Sequence, residues 1–318
     1  MKNIVVIGGG TGVSAILKGI KNIEGYNISA IITVADDGGS TGRLKALYNI
    51  PAVGDIRSVL IALAESETLI SSLMDYRFYG DSKTSQDIGG HSLGNLILAA
   101  LTQKTGSIME AIAEVGSVLR IKGEIIPSST EVVELYAEMA DGTVVKGESN
   151  IPDIDNEIKR VFYKSPVIAT KEAIVAIEKA DYILLGIGSL YTSVLPNLIV
   201  SGISEAINAN KKAKVIYLCN VMTQPGETQG YDVDDHVKAI ESHMGGQIDE
   251  VIFPSNFIPK DVLENYAIED ASSVKFDPYK KRHYKVYLED LICFEDNQVR
   301  HCAKKIEKTL EKYMKVVK

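Results

Sequence analysis

Four short apolar runs in this chain each lead straight into a loop of small residues, and that pairing limits the folds open to it. Lys2–Ile7 runs into Gly8-Gly9-Gly10-Thr11-Gly12, and Ser29–Val34 into Asp36-Asp37-Gly38-Gly39-Ser40-Thr41-Gly42. Tyr182–Leu185 runs into Gly186-Ile187-Gly188-Ser189, and Lys214–Leu218 into Asn220–Thr228. Ligands of an open parallel sheet bind beyond the carboxyl ends of its strands. The four loops are therefore expected to converge on one crevice. Their glycines, hydroxyls, amides and acids suit a nucleotide or phosphate ester better than an apolar ligand.

Helical patterns fill the spaces between these runs. Thr11–Ile20 carries Val13, Ile16, Leu17 and Ile20 on one face, and Asp55–Ala64 repeats the spacing through Ile56, Val59, Leu60 and Leu63. Further helices are predicted over Thr68–Tyr79, His91–Leu101, Ser107–Val118, Lys171–Glu178, Pro196–Asn208, Val233–Met244 and Val299–Val317. Glu250–Phe253 reads as another strand. Between them Val132–Ala140 alternates, Asp141-Gly142 is a hairpin turn, and Thr143–Lys146 is the return strand. Ile151–Ser165 reads as a polar loop. The pattern predicts an α/β fold, a doubly wound, mostly parallel Rossmann-like sheet with a small β-hairpin insertion. It reads as one domain over 1–318, with a first half at 1–120, a β-rich insertion at 121–165 and a second half at 166–318.

Composition narrows the partners. At 45% hydrophobic and 24% charged residues, the 318-residue chain has the balance of a globular protein with a full core. A net charge of −8 argues against nucleic-acid binding through bulk charge. No apolar stretch approaches the roughly 20 residues a membrane helix needs, so no membrane insertion is expected. The Ile4–Ile7 run is too short for a signal peptide. Cys219, Cys293 and Cys302 form no CxxC pair, which supports neither a zinc knuckle nor a disulfide framework. A cytoplasmic protein is expected, with Cys219 a buried small residue.

Each loop has its own chemistry. Gly9, Gly10, Thr11 and Gly12 open a helix whose N-terminal N–H groups and dipole favour an anion. The run is not GxGxxG, because Val13 stands where the third glycine belongs, and this weighs against a dinucleotide-dependent dehydrogenase. The second loop offers Asp37, Gly38, Ser40 and Arg43. One of its two acids is a candidate for Mg²⁺ and the other for capping its own turn. Arg43, Lys45 and Arg57 are placed to neutralise a pyrophosphate. His91 and Asn95 begin an apolar helix, His91 as a candidate acid or base. Gly188 and Ser189 make a second anion candidate, and Asn220 and Thr223 follow the next strand. Ser189 is no nucleophile elbow, since GxSxG is absent.

Six ordered segments together resemble the YvcK family, the gluconeogenesis factors, which share a fold with the 2-phospho-L-lactate transferases (CofD). They are Gly8–Gly12, Asp36–Arg43, Gly54-Asp55-Ile56-Arg57, Gly90–Leu96, Gly188–Ser193 with Pro196-Asn197, and Asn220–Thr228. The resemblance implies a cytoplasmic regulatory protein that binds UDP-N-acetylglucosamine and links gluconeogenic carbon flow to cell-wall precursors and cell shape, without essential catalysis. It also implies contact of Tyr266 and Arg300 with the UDP-sugar. A homo-oligomer is expected, and the glucosamine-6-phosphate-forming amidotransferase is the expected partner. No cofactor is required on this reading, with Mg²⁺ at Asp37 a candidate. The alternative is a transferase moving a phospholactyl group from a nucleoside diphosphate to a deazaflavin, with Asp37, Arg57 and His91 as its catalytic candidates.

Overall fold

The computed structural model describes residues 1–65, 69–80, 88–295 and 298–315. Twelve strands are described: β1 (Lys2–Gly8), β2 (Tyr26–Ile32), β3 (Glu124–Pro127), β4 (Tyr136–Met139), β5 (Val144–Lys146), β6 (Ile158–Phe162), β7 (Tyr182–Leu185), β8 (Lys214–Leu218), β9 (Glu250–Pro254), β10 (Lys285–Glu289), β11 (Ile292–Glu295) and β12 (Gln298–His301). The helices of the first half are α1 (Gly10–Ile20), α2 (Gly39–Tyr48), α3 (Gly54–Leu63), α4 (Leu69–Asp75), α5 (Leu93–Thr105) and α6 (Ile108–Leu119). Those of the second half are α7 (Lys171–Lys179), α8 (Leu195–Leu198), α9 (Ile203–Ala209), α10 (Val233–Met244), α11 (Lys260–Ile268) and α12 (Ala303–Lys315).

Seven strands make one sheet in the order β10-β9-β8-β7-β1-β2-β3, and every described pair in it is parallel. From β1 the chain winds outward through β2 to β3, then returns to β7 on the other side of β1. The order therefore reverses between β1 and β7, where a doubly wound sheet opens a crevice. The strands are buried on both faces, as parallel strands between helices must be. Ile4, Val6, Ile7, Ile31, Ile32, Leu184 and Leu185 are all fully buried. Each such aliphatic side chain contributes about 1.5–3 kcal/mol. Helix α1 packs on α3 and α12. Gly19 permits the second contact, since a Cβ there would lie 2.6 Å from the Ala303 carbonyl oxygen.

The insertion is a three-stranded antiparallel sheet, β5-β4-β6, rather than a lone hairpin. Its third strand lies inside the predicted polar loop at Ile151–Ser165. Ile158 and Val161 are buried, while Lys159 and Arg160 reach the Glu138 carboxylate at 2.6 and 2.7 Å. The predicted helix Pro196–Asn208 is broken into α8 and α9. Ser201 donates its N–H to the Val167 carbonyl, and Gly202 turns the chain with φ +99°. The predicted helix Val299–Val317 begins later, at Ala303. Its first residues instead form β12, which pairs antiparallel with β11. Val317, like Thr68 at the start of another predicted helix, lies outside the described residues.

Candidate functional site

The crevice at the switch point encloses about 880 Å³, within the usual range of small-molecule sites. Its floor is backbone. The loop after β1 and the loop after β7 interlock so closely that a Cβ on Gly12 would overlap the Ile187 carbonyl oxygen. Asn220, at the end of β8, clamps the second loop by donating Nδ2–H to the Gly188 carbonyl at 2.9 Å. Asn197 ties α8 to the end of β1 through the Gly8 carbonyl at 3.1 Å. Thr11, Gly12, Gly188, Ser189 and Asn220 all line the crevice.

One wall comes from α1 and α3. Ser14 and Lys18 recur at helical spacing after Thr11 and face the opening. Arg57 stands one turn into α3, with only 12% of its side chain exposed. Burial lowers its guanidinium from the ordinary value against the pull of Asp75, whose carboxylate lies 3.3 Å from Nη1. Neither Nε nor Nη1 has a hydrogen-bond partner among the described residues. Unused buried donors are costly, and a bound anion is the usual remedy.

The opposite rim is formed by α11 and the β11–β12 hairpin. Tyr266 packs with Val221, Val262, Ile292 and Val299, and its hydroxyl accepts the Val299 N–H at 3.0 Å. Arg300 is exposed, lines the crevice and bonds Gln298. His301 donates Nε2–H to the Cys219 carbonyl at 3.2 Å, and burial pushes its imidazole down to about 4. Neutral His301 thereby pins the rim to the end of β8. Contrary to expectation, Arg300 sits on a strand and not at a helix start.

Behind the floor lie carboxyl groups. A Cβ on Gly9 would collide with the Asp55 carboxylate. Burial, reinforced by Asp36, pushes the Asp55 carboxyl up to about 7. Burial with Asp36 and Asp37 nearby raises Glu148 to about 8. Glu227 rises to about 7 through burial, although Tyr191 N–H and the Thr192 hydroxyl both donate to it.

The loop after β2 opens onto a separate hollow of about 850 Å³, lined by Asp37, Ser40, Arg43, Arg77 and Gly90 among others. The four loops therefore do not share one crevice. Asp36 caps its own turn by accepting the Gly38 N–H at 2.9 Å. The two oxygens of Asp37 accept the N–H groups of Glu148 and Ser149 at 3.0 and 2.9 Å, which anchors the insertion. No group of three or more metal-ligating side chains occurs among the described residues. Asp37 so committed does not fit an Mg²⁺ site. His91 is buried with Nδ1 at 2.9 Å from the Ser40 hydroxyl, which also accepts from Asn95 at 3.1 Å. This network joins α2 to α5, and neither His91 nor Asn95 lines the crevice. Thr223 accepts the Ser272 N–H at 2.9 Å and anchors its loop. The sequence signal for Ser14 and Lys18 in the crevice wall is the polar stripe Thr11, Ser14, Lys18, which the apolar face of the same helix overshadows.

Residues 4–292 match the 2-phospho-L-lactate transferase CofD family. The chain is 45% identical over 316 residues to the gluconeogenesis factor of Bacillus subtilis, covering 98% of each chain. It is 45% identical over 313 residues to that of Halalkalibacterium halodurans, covering 97% of this chain and 95% of the relative. A crystal structure of a protein member of the UPF0052 family from Bacillus halodurans superposes with a TM-score of 0.92 at 44% identity, over 97% of this chain and 99% of the other. No described helix is long and apolar enough to cross a membrane.

Proposed function

This chain belongs to the CofD family, alongside relatives named gluconeogenesis factors, and from that premise we propose that it is a regulatory protein that binds UDP-N-acetylglucosamine in the switch-point crevice. The observation that carries the reading is Arg57, held buried at the crevice wall, its Nε without a hydrogen-bond partner among the described residues and its Nη1 paired only with the exposed Asp75. Together with Lys18, Arg300 and Lys304 it gives the crevice four cations to set against Asp75 and Glu295. A pyrophosphate matches that excess, because arginine grips phosphate oxygens through parallel donors. The Tyr266 ring, fixed at the rim by its own hydroxyl bond, offers a flat face to a base. Thr11, Ser189 and Asn220 supply polar contacts for ribose or sugar hydroxyls.

The reading involves no group transfer. Mg²⁺ has no part in it. In the cell the protein would be cytoplasmic and homo-oligomeric, would link gluconeogenic growth to wall precursors and cell shape, and would act on the amidotransferase that forms glucosamine-6-phosphate.

Calorimetric titration with UDP-N-acetylglucosamine tests this. Micromolar binding, equal with and without Mg²⁺, is expected, with the ligand recovered unchanged. Arg57→Ala and Arg300→Ala should each weaken it at least about tenfold, the worth of one charge-assisted contact. Absence of binding, together with binding of guanosine diphosphate and a deazaflavin, would replace this reading with the transferase one.

A further inference from the structure

Two of the three cysteines meet at the rim of the crevice. Cys219 is buried, whereas Cys293 and Cys302 are half-exposed and both line the opening. Cys293 stands opposite Arg300 in the β11–β12 ladder. One step beyond that ladder, Cys302 donates its N–H to the Leu291 carbonyl at 2.7 Å, which sets Cys302 beside Leu291. Side chains two apart on a strand share a face. Cys293, Arg300 and Cys302 therefore project from one face of the hairpin. Burial, with Cys302 and Glu295 nearby, raises the Cys293 thiol above its ordinary value. Cys293 also lies 3.7 Å from the Glu295 carboxylate.

Cross-strand diagonal positions have Cα atoms about 7–8 Å apart in a flat ladder, and a disulfide needs about 4.4–6.8 Å. Two-stranded ribbons twist most strongly of all sheets. Such a ribbon can close that gap at the cost of a small added twist.

We infer that Cys293 and Cys302 form a reversible dithiol–disulfide site at the mouth of the crevice, oxidised by small-molecule disulfides such as glutathione disulfide. One protein thiolate attacks a sulfur of the small disulfide, forms a mixed disulfide and expels one small thiolate. The second protein thiol, losing its proton, then attacks the protein-bound sulfur and expels the other. Two protein thiols are oxidised by two electrons, the small disulfide is reduced to two thiols, and the chain loses two hydrogen atoms. Burial, with the facing Cys302 adding to it, raises the Cys293 thiol, which disfavours Cys293 as the first sulfur to attack. Closure draws the hairpin in at Cys293, and Arg300, directly opposite, moves with it. The effect on ligand rests on the nucleotide-sugar reading of the crevice, whereas the disulfide chemistry does not.

The experiment incubates the full chain with glutathione disulfide, maps disulfides by mass spectrometry and titrates both forms with UDP-N-acetylglucosamine. A Cys293–Cys302 bond reversed by dithiothreitol is expected, with affinity lowered about tenfold in the oxidised form. Cys293→Ser should trap a stable glutathione adduct on Cys302, and Cys219→Ser should change nothing. No intramolecular bond in the wild type, or two independent glutathione adducts, would overturn the site. A mapped bond with unchanged affinity would overturn its coupling to Arg300. A reduced protein that binds no UDP-sugar while forming the bond would instead count against the functional reading alone.

Discussion

The floor and the rim of the crevice face the same opening but are built in opposite ways. On the floor, backbone meets backbone: Gly12 lies against Ile187, and Gly9 against the Asp55 carboxylate. At the rim, long side chains project from a short hairpin, joined to α11 by the Tyr266 hydroxyl and to the end of β8 by the His301 ring. A floor of this kind tolerates no added atom. A rim of this kind can be trimmed and still fold. Shape is therefore fixed on one side of the crevice, and on the proposed function affinity would be adjusted on the other.

The largest effect should come from adding a single methyl group to the floor. Gly12→Ala forces its Cβ into a carbonyl oxygen of a neighbouring loop, and backbone there cannot move without opening the β1–β7 contact. A loss of about 3 kcal/mol is expected, seen as a Tm fall of at least roughly 6 °C, with UDP-sugar binding abolished. Gly39→Ala meets nothing within 4 Å but must adopt φ +42°, and should cost only about 1–2 kcal/mol. Equal losses from the two substitutions would mean that the floor is no tighter than an ordinary turn.

This contrast also explains what could be read from the sequence. Floor residues were legible because close backbone approach demands glycine whatever the ligand, so Gly8–Gly12 and Gly186–Ser189 advertise themselves. The rim was not. Val299, Cys302 and Ile306 fall at spacings that fit a helix, and β12 is only four residues long. The competing signal is a short apolar run, Ile292–Phe294, and a second short run around Val299, separated by Asp296-Asn297. β6 was missed for a related reason: Lys159 and Arg160 make it look like loop, and the Glu138 carboxylate that pairs them is distant in sequence. Asp37 misled differently. Two adjacent acids before glycines look like a metal site, and only the fold brings the Glu148 and Ser149 amides to Asp37.

A smaller effect probes the carboxyls behind the floor. Unfolded, Asp55, Glu148 and Glu227 ionise near pH 4; folded, near 7, 8 and 7. Between those values the folded chain holds more protons than the unfolded one, so stability falls as pH rises. From pH 7 to 8.5 the loss should be about 2 kcal/mol, read as a lower Tm. Asp55→Asn is close to isosteric and cannot ionise. It should flatten the slope and raise the Tm at pH 8.5 above that of the wild type. A Tm that rises across this range would mean that these carboxyls are already ionised at neutral pH.

The smallest expected effect lies at the rim, and it separates two jobs of one residue. Tyr266→Phe keeps the ring packed on Val262 and Ile292 but leaves the Val299 N–H without its acceptor. One neutral hydrogen bond is worth about 1 kcal/mol, so the Tm should fall by roughly 2–4 °C. If the ring face is what meets the ligand, affinity should stay within about threefold, less than the energy of one hydrogen bond. Tyr266→Ala removes the stacking surface as well and should weaken binding at least about tenfold. Equal losses from Phe and Ala would instead place the hydroxyl on the ligand. The Val299 bond would then be one the ligand displaces, and the rim would be held to the body by His301 alone of the two anchors.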